Sequence, residues 1–230
     1  MIDQKRERTH DYWERNIGNF GQFYADMSRE EFDAPSWFQG IYRRTVMPLE
    51  QKLMKKRYEV TMRFIDEYVI DGVTAVDIGC GTGIFTVEML RRGANVIALD
   101  YAKSALDLTR ELVDHVLPDK SSNVEYLHAD VTEDRLPESD VAIAMGVTPY
   151  VADLGVFYEH VLPTTNTVYC LIVDPAHWAN RLRKVFPILN VRRMHFFDRS
   201  IADRLLDQFD FKLIRREPFA TGYLDLAVRK

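Results

Sequence analysis

The sequence predicts an α/β fold, in which helices cover both faces of a mostly parallel, seven-stranded sheet and form a three-layer α/β/α sandwich. From residue 73 onward, short apolar runs alternate with segments of helical periodicity, as in a sheet built from βαβ units. The last two apolar runs are separated only by Ala-Thr-Gly. That connection is too short for a helical crossover, so we expect a hairpin and an antiparallel last strand.

Each element can be assigned from its own pattern. The predicted strands are Thr74 to Ile78, Asn95 to Asp100, Val124 to His128, Asp140 to Met145, Thr167 to Asp174, Phe211 to Phe219 and Tyr223 to Val228. Apolar residues at helical spacing predict the helices 84–92, 104–116, 154–161 and 200–208. Ser104 is expected to cap the second of these helices, and Pro118 ends that segment.

Residues 1–70 differ from the rest of the chain. They are rich in aromatic residues and include a long helical pattern from near Pro48 to about Tyr68. We predict a helical cover over 1–70 and a second domain over 71–230. The aromatic residues could serve core packing alone. They could equally form a lid that excludes water and accepts a flat or apolar ligand.

Composition excludes several classes of protein. Hydrophobic residues make up 47% and charged residues 28% of the chain, which is typical of globular proteins. The net charge of -5 argues against a nucleic-acid partner, and we interpret the basic runs Lys52–Arg57 and Arg181–Arg193 as solvated helix faces. The absence of a long apolar run and the charged first residues predict a cytoplasmic protein without a membrane partner. Cys80 and Cys170 are expected to be buried, with no disulfide or metal site.

The segment Val76-Asp77-Ile78-Gly79-Cys80-Gly81-Thr82-Gly83 is the most informative stretch. It places three glycines at alternate positions between a predicted strand and a predicted helix. Glycine is favoured where the backbone takes a positive φ or must approach a ligand closely. Dinucleotide binders use G-x-G-x-x-G, which would require glycine at the position of Ile84, so the spacing disfavours NAD.

This D-x-G-x-G-x-G pattern resembles motif I of the Rossmann-like class I S-adenosylmethionine-dependent methyltransferases. Further matches follow in order: an acid at the end of the second strand, an acid after the third strand, and Gly146–Tyr150 after the fourth. The resemblance implies S-adenosyl-L-methionine as cofactor and S-adenosyl-L-homocysteine as product. It implies contacts with the cofactor for Asp77, Gly79, Cys80, Gly81, Gly83, Asp100, Tyr101, Ala129, Asp130, Val131, Met145 and Val147.

Within that set the resemblance implies separate roles. Asp77 and the glycine turn would hold the methionine part, Asp100 the ribose and Asp130 the adenine, with Met145 or Val147 beside the cofactor. Carboxylates accept hydrogen bonds from ribose hydroxyls and from an exocyclic amine. The family often has a histidine at the position of Pro149, so no role is carried over to that position.

Two histidines are candidates for a catalytic base. His177 follows the fifth strand at the carboxyl edge of the sheet, where open α/β folds bind ligands. His195 lies in an apparent insertion between the fifth strand and the last helix, where this family often builds its acceptor pocket. Either could take a proton from a hydroxyl or a protonated amine within ~3 Å.

The expected function is therefore methyl transfer from S-adenosylmethionine to a small molecule, with O-methylation favoured over N-methylation. The Lys-Lys-Arg-Tyr-Glu and Phe-Phe-Asp-Arg-Ser stretches resemble those of the tetrapyrrole carboxyl O-methyltransferases, which include magnesium-protoporphyrin O-methyltransferase. Two alternatives stay open: a nicotinamide-dependent reductase and a non-catalytic binding protein with this fold. The sequence also leaves a homodimer open.

Overall fold

A computed structural model describes residues 47–186 and 194–230 of the chain. Its helices are α1 (Met47–Tyr68), α2 (Ile84–Arg91), α3 (Lys103–Val116), α4 (Leu154–Val161), α5 (Trp178–Val185) and α6 (Arg199–Gln208). Its strands are β1 (Thr74–Ile78), β2 (Asn95–Asp100), β3 (Val124–His128), β4 (Ser139–Ala144), β5 (Thr165–Val173), β6 (Phe211–Phe219) and β7 (Gly222–Arg229). Short 3-10 turns connect several of them, including Thr148–Tyr150 after β4.

The seven strands form one sheet in the order β3-β2-β1-β4-β5-β7-β6. The first five strands are parallel, and β7 lies antiparallel to both β5 and β6. The predicted three-layer fold with an antiparallel last strand is confirmed. Because the chain reverses its direction of sheet growth between β1 and β4, a crevice forms beyond the carboxyl ends of these two strands.

Two hydrophobic clusters hold the helices on opposite faces of the sheet. Val76 and Ile78 of β1 pack on one face with Phe157 and Tyr158 of α4. Ala75, directly before Val76 in sequence, faces the other cluster, which contains residues of α1, α2 and α3. This alternation follows from the period of two in a strand. It also sends Asp77 to the face that α2 covers.

Helix α1 belongs to the helical layer that also contains α2 and α3. Phe64 and Ile65 are fully buried in the second cluster, and Phe64 stacks on Tyr169 of β5 with ring centroids 4.4 Å apart. This part of the predicted cover therefore shares its core with the sheet. Residues 1–46 lie outside the described part of the chain, so the division at residue 70 stays a prediction.

The predicted cap of α3 was wrong. The helix begins at Lys103, with Ala102 at the N-cap, so Ser104 lies inside the first turn. Among the described residues, no side chain forms a hydrogen-bonded cap for this helix. Just before it, Oδ1 of Asp100 accepts a 2.9 Å hydrogen bond from the backbone N–H of Ala102.

The structure bears on two further expectations, the burial of the cysteines and the absence of membrane-spanning helices. Cys80 and Cys170 are both buried, as predicted. In the described part of the chain, no helix combines the length and the apolar character needed to cross a membrane.

Candidate active site

A cleft of about 690 Å³ opens beyond the carboxyl ends of the parallel strands. The ends of β1, β2 and β4 form its floor, and residues of α1 and of the 219–222 turn also line it. Cavities of about 300–1,000 Å³ are typical of small-molecule sites. The predicted cofactor residues that line it are Asp77, Gly79, Cys80, Gly81, Asp100, Tyr101, Ala129, Asp130, Val131, Met145 and Val147.

The glycine turn is hydrogen-bonded to the neighbouring strand β2. The backbone N–H groups of Gly79 and Cys80 both donate to the carbonyl of Leu99, at 2.7 and 3.0 Å. Gly79 has φ +70°, and a Cβ at this position would lie 2.3 Å from Cγ2 of Val147. Glycine is therefore required where the turn approaches the loop after β4.

Gly83 lies at the start of α2, behind the glycines that line the cleft. It is not among the residues that line the cleft. It is the N-cap of α2 with φ +78°, and a Cβ there would lie 2.8 Å from Cγ2 and 2.9 Å from Cα of Thr109. Its missing side chain lets α3 pack closely against the turn.

Asp77 is a buried acid at the end of β1. Its side chain accepts a 2.7 Å hydrogen bond from the hydroxyl of Thr86 on α2, and Asp77 is only 2% exposed. Burial raises the pKa of Asp77 to about 6, while the bond from Thr86 and the charge of Arg57 act in the opposite direction. The nearby carboxylate of Asp100 adds to the rise of this pKa.

Asp100 joins three elements at the end of β2. Its Oδ2 accepts a 3.1 Å hydrogen bond from the backbone N–H of Gly81, and its Oδ1 accepts from Ala102 at the start of α3. The side chain is only 6% exposed but lines the cleft. Asp100 thus orders the glycine turn while presenting negative charge to the cleft.

The loop after β3 contributes Ala129, Asp130 and Val131. Oδ1 of Asp130 accepts from both the backbone N–H and the hydroxyl of Thr132, at 2.8 and 2.6 Å. The backbone N–H of Asp130 donates to Asp134 at 2.8 Å. These bonds fix the orientation of the Asp130 carboxylate at the rim of the cleft.

The two candidate bases lie in different places. His195 lines the cleft, and its backbone N–H donates a 2.6 Å hydrogen bond to the carbonyl of Pro149. His177 is not among the lining residues and is the N-cap of α5, where Nδ1 accepts from the backbone N–H of Ala179 at 3.3 Å. The structure therefore brings only His195 to the predicted site.

Sequence reasoning missed two arginines of the cleft, Arg57 on α1 and Arg183 on α5. Both belong to basic runs that were interpreted as solvated helix faces. Arg183 donates to Oδ1 of Asn180 at 2.6 Å, which holds its guanidinium beside the 219–222 turn. No local pattern distinguishes these arginines from their exposed neighbours, because the approach of each helix to the cleft is set by tertiary packing.

Thr86 was also missed. It lies nine positions after its partner Asp77, and only the packing of α2 on β1 joins the two side chains. The described residues contain no cluster of acids, histidines and cysteines with metal-binding geometry.

The residues of the cleft fit a cofactor that carries a nucleoside and an amino acid. Buried carboxylates can accept from sugar hydroxyls and an ammonium group, and Gly79 and Gly81 let the backbone of the turn face the cleft without a side chain at these two positions. A family model described as "Methyltransferase domain" matches residues 75–161, which include the glycine turn and β1 to α4. A magnesium-protoporphyrin O-methyltransferase from Rhodobacter capsulatus is 30% identical over 162 residues, covering 67% of this chain and 69% of that protein.

This chain belongs to the class I S-adenosylmethionine-dependent methyltransferases. It is an enzyme of that family, and its cofactor is S-adenosylmethionine. A ubiquinone biosynthesis O-methyltransferase from Acinetobacter baylyi is 30% identical over 97 residues, or 40% of either chain.

Solved structures of methyltransferases share the fold of this chain. The magnesium protoporphyrin IX methyltransferase from Synechocystis PCC 6803, with bound SAH, aligns with a TM-score of 0.73 over 98% of this chain and 100% of that one. The identity is 14%, so this likeness concerns the fold. A methyltransferase from Mesorhizobium loti aligns with a TM-score of 0.62 and 20% identity over 75% of this chain and 98% of that one.

Proposed function

We propose that this methyltransferase acts on an oxygen atom of a small, largely apolar acceptor. The observation that carries the proposal is the composition of the cleft beyond the glycine turn. Its lining there is mainly apolar, with Val147, Val151, Val156, Leu171 and Phe219 among its members. Such a surface can bind a flat or apolar molecule and exclude water from the reacting atoms. The two relatives described above, both named as O-methyltransferases, favour oxygen as the attacking atom.

The cofactor is proposed to lie along the ends of β1, β2 and β3. Asp77 and the glycine turn would hold its amino-acid end, Asp100 its ribose and Asp130 its adenine. Met145 and Val147 would lie beside its sulfur. When bound, S-adenosylmethionine supplies an already activated methyl group. The residues of the chain then have to hold the acceptor oxygen in line and keep the cleft dry.

His195 is the residue proposed to take the acceptor proton, since it is the predicted base that lines the cleft. A hydroxyl acceptor loses its proton on methylation, and a base within hydrogen-bond distance accelerates that loss. A carboxylate acceptor is already ionised at neutral pH and needs no base. The dependence on His195 therefore separates these two acceptor classes.

The test is a methyl-transfer assay with labelled S-adenosylmethionine and a panel of hydroxyl, carboxyl and amine acceptors that share one apolar scaffold. We expect label in the hydroxyl or carboxyl products. Exclusive labelling of amines would contradict O-methylation. Label only in a nucleic acid or a protein added to the panel would contradict a small-molecule acceptor.

A further inference from the structure

A positive charge lies on the side of the cleft away from the glycine turn. Arg183 of α5 lines the cleft together with the 219–222 turn, which joins β6 to β7. In the sheet, β7 is the third strand from β1, after β4 and β5. Because neighbouring strands lie about 5 Å apart, β7 is about 15 Å from β1, where the glycine turn begins. Arg183 therefore belongs to a different part of the cleft from the carboxylates proposed to hold the cofactor.

The buried side chain of Asn180 fixes the position of this guanidinium. Asn180 is fully buried, and its Nδ2 donates two 2.7 Å hydrogen bonds, to the backbone carbonyls of Asp174 and Thr221. These bonds occupy both amide donors and fix the direction of the carbonyl oxygen. That oxygen, Oδ1, accepts from Nη1 of Arg183 at 2.6 Å. Backbone groups therefore orient Asn180, and Asn180 orients Arg183.

The turn beside Arg183 is held against β5. The backbone N–H of Asp174 donates to the carbonyl of Thr221 at 3.2 Å, and a Cβ at Gly222 would collide with the carbonyl oxygen of Ile172. The hydroxyl of Thr221 accepts from Nη1 of Arg183 at 3.4 Å. The amide and the hydroxyl that hold the guanidinium are neutral, so these two contacts orient it without cancelling its charge.

Apolar side chains lie on the same side of the cleft as Arg183. They include Leu171 and Val173 of β5 and Phe219 at the end of β6. A planar guanidinium binds a carboxylate through two parallel hydrogen bonds, and an apolar surface beside it binds a hydrocarbon scaffold. This side of the cleft is therefore complementary to an apolar molecule that carries a carboxylate.

We propose that Arg183 binds a carboxylate of the methyl acceptor, on a part of that molecule other than the oxygen that receives the methyl group. The inference rests on the proposed function, which puts the cofactor along the ends of β1 to β3 and the acceptor in the apolar part of the cleft. It narrows the acceptor class to flat or apolar molecules with a carboxylate besides the reacting oxygen. If Arg183 only tied α5 to the hairpin, the charge of the acceptor would not affect binding.

The test uses two hydroxyl-bearing acids of different size, 4-hydroxybenzoate and 6-hydroxy-2-naphthoate, each compared with its uncharged methyl ester. Isothermal titration is performed with S-adenosylhomocysteine present. We expect the wild-type enzyme to prefer the acid in at least one pair by about 10- to 100-fold, the range of a charge-assisted hydrogen bond. Arg183→Met should reduce this preference to within about twofold, the usual error of additivity. Arg183→Lys should retain part of it, because lysine keeps the charge but loses the planar fork.

The matched control is Arg181→Met on the same helix. Arg181 is exposed and is not among the residues that line the cleft. This variant should keep the wild-type preference for the acid. Thermal unfolding of all variants, with Arg183→Lys as the milder change, separates a lost ligand contact from a lost fold.

Three results would refute carboxylate binding by Arg183. The first is a wild-type enzyme that binds acid and ester equally in both pairs, or binds none of the four ligands. The second is a preference for the acid that is the same in wild type and Arg183→Met. The third is methylation of the carboxylate of the bound acids in place of their hydroxyl, because the carboxylate would then lie at the cofactor sulfur.

Failure of the proposed function would look different. Labelled S-adenosylmethionine and the same acids show whether an oxygen atom is methylated. Binding of the acid that depends on Arg183, without methyl transfer to oxygen, would contradict O-methylation and leave the carboxylate site in place. Methylation of the hydroxyl with equal affinity for acid and ester would contradict only the role of Arg183.

Discussion

The hydroxyl of Thr86 donates a 2.7 Å hydrogen bond to Oδ2 of Asp77, and both side chains are buried where α2 meets the end of β1. The bond stabilises the ionised carboxylate, but burial outweighs it and raises the pKa of Asp77 to about 6. Buried acids with raised pKa values are common at functional sites. Thr86 therefore holds in place a buried acid that lines the cleft.

The raised pKa makes a prediction about stability. Between the ordinary pKa of 3.8 and the folded value of about 6, Asp77 has lost its proton in the unfolded chain but keeps it in the folded enzyme, so this residue lowers stability as pH rises through that range. Asp77→Asn removes that dependence. Relative to wild type, the variant should gain about 2 kcal/mol of unfolding free energy between pH 4.5 and 7.5. Urea unfolding at the two pH values measures it, and a constant difference between the proteins would contradict the raised pKa.

Asp100→Ala should weaken binding of S-adenosylmethionine by about 1–3 kcal/mol, because the ribose hydroxyls lose a charged acceptor. Asp100→Asn keeps an acceptor oxygen and should lose less. Asp140→Ala is the control, since Asp140 also accepts from a backbone N–H, that of Thr74 at 2.9 Å, but near the amino ends of β1 and β4. Isothermal titration measures all three variants, and a change confined to acceptor affinity in Asp100→Ala would argue against the ribose assignment.

Gly81→Asp should abolish cofactor binding. The new carboxylate would fill the space proposed for the methionine part of the cofactor and would repel the negative charge of its carboxylate. Gly81 has φ +58° and lines the cleft. Gly72→Asp is the matched control: Gly72 also has a positive φ, +82°, but a Cβ there meets nothing within 4 Å. Both variants carry backbone strain, so thermal unfolding should shift similarly while titration separates them. Wild-type affinity in folded Gly81→Asp would place the cofactor elsewhere.

His195→Ala should lower kcat for a hydroxyl acceptor by about 10²- to 10⁴-fold, the usual contribution of a positioned base. His177→Ala should leave kcat near the wild-type value, because His177 caps α5 and is not among the residues lining the cleft. Steady-state assays at saturating S-adenosylmethionine compare the two variants. A larger loss of kcat in His177→Ala would reverse the assignment of the base.

The sequence could predict the parallel sheet, the hairpin and the position of the glycine turn, because each depends on local periodicity or on glycine at fixed spacing. Val76 to Gly83 is an example, since strand, turn and helix follow one another without any distant contact. The same pattern predicts that Gly83 contacts the cofactor, and the structure adds that a Cβ at Gly83 would meet Thr109 of α3. A glycine pattern indicates a close approach but not which group approaches.

By itself, the sequence determined the fold class and the cofactor, and it proposed the edge of the sheet where the cofactor binds. The tertiary structure decided which polar side chains share the cleft: it brought Arg57, Thr86 and His195 to the site region and put His177 at a helix cap. The reason is physical. Strand and turn patterns act over a few residues, whereas the position of a side chain on α1 or after α5 depends on how whole layers pack, which no local spacing encodes.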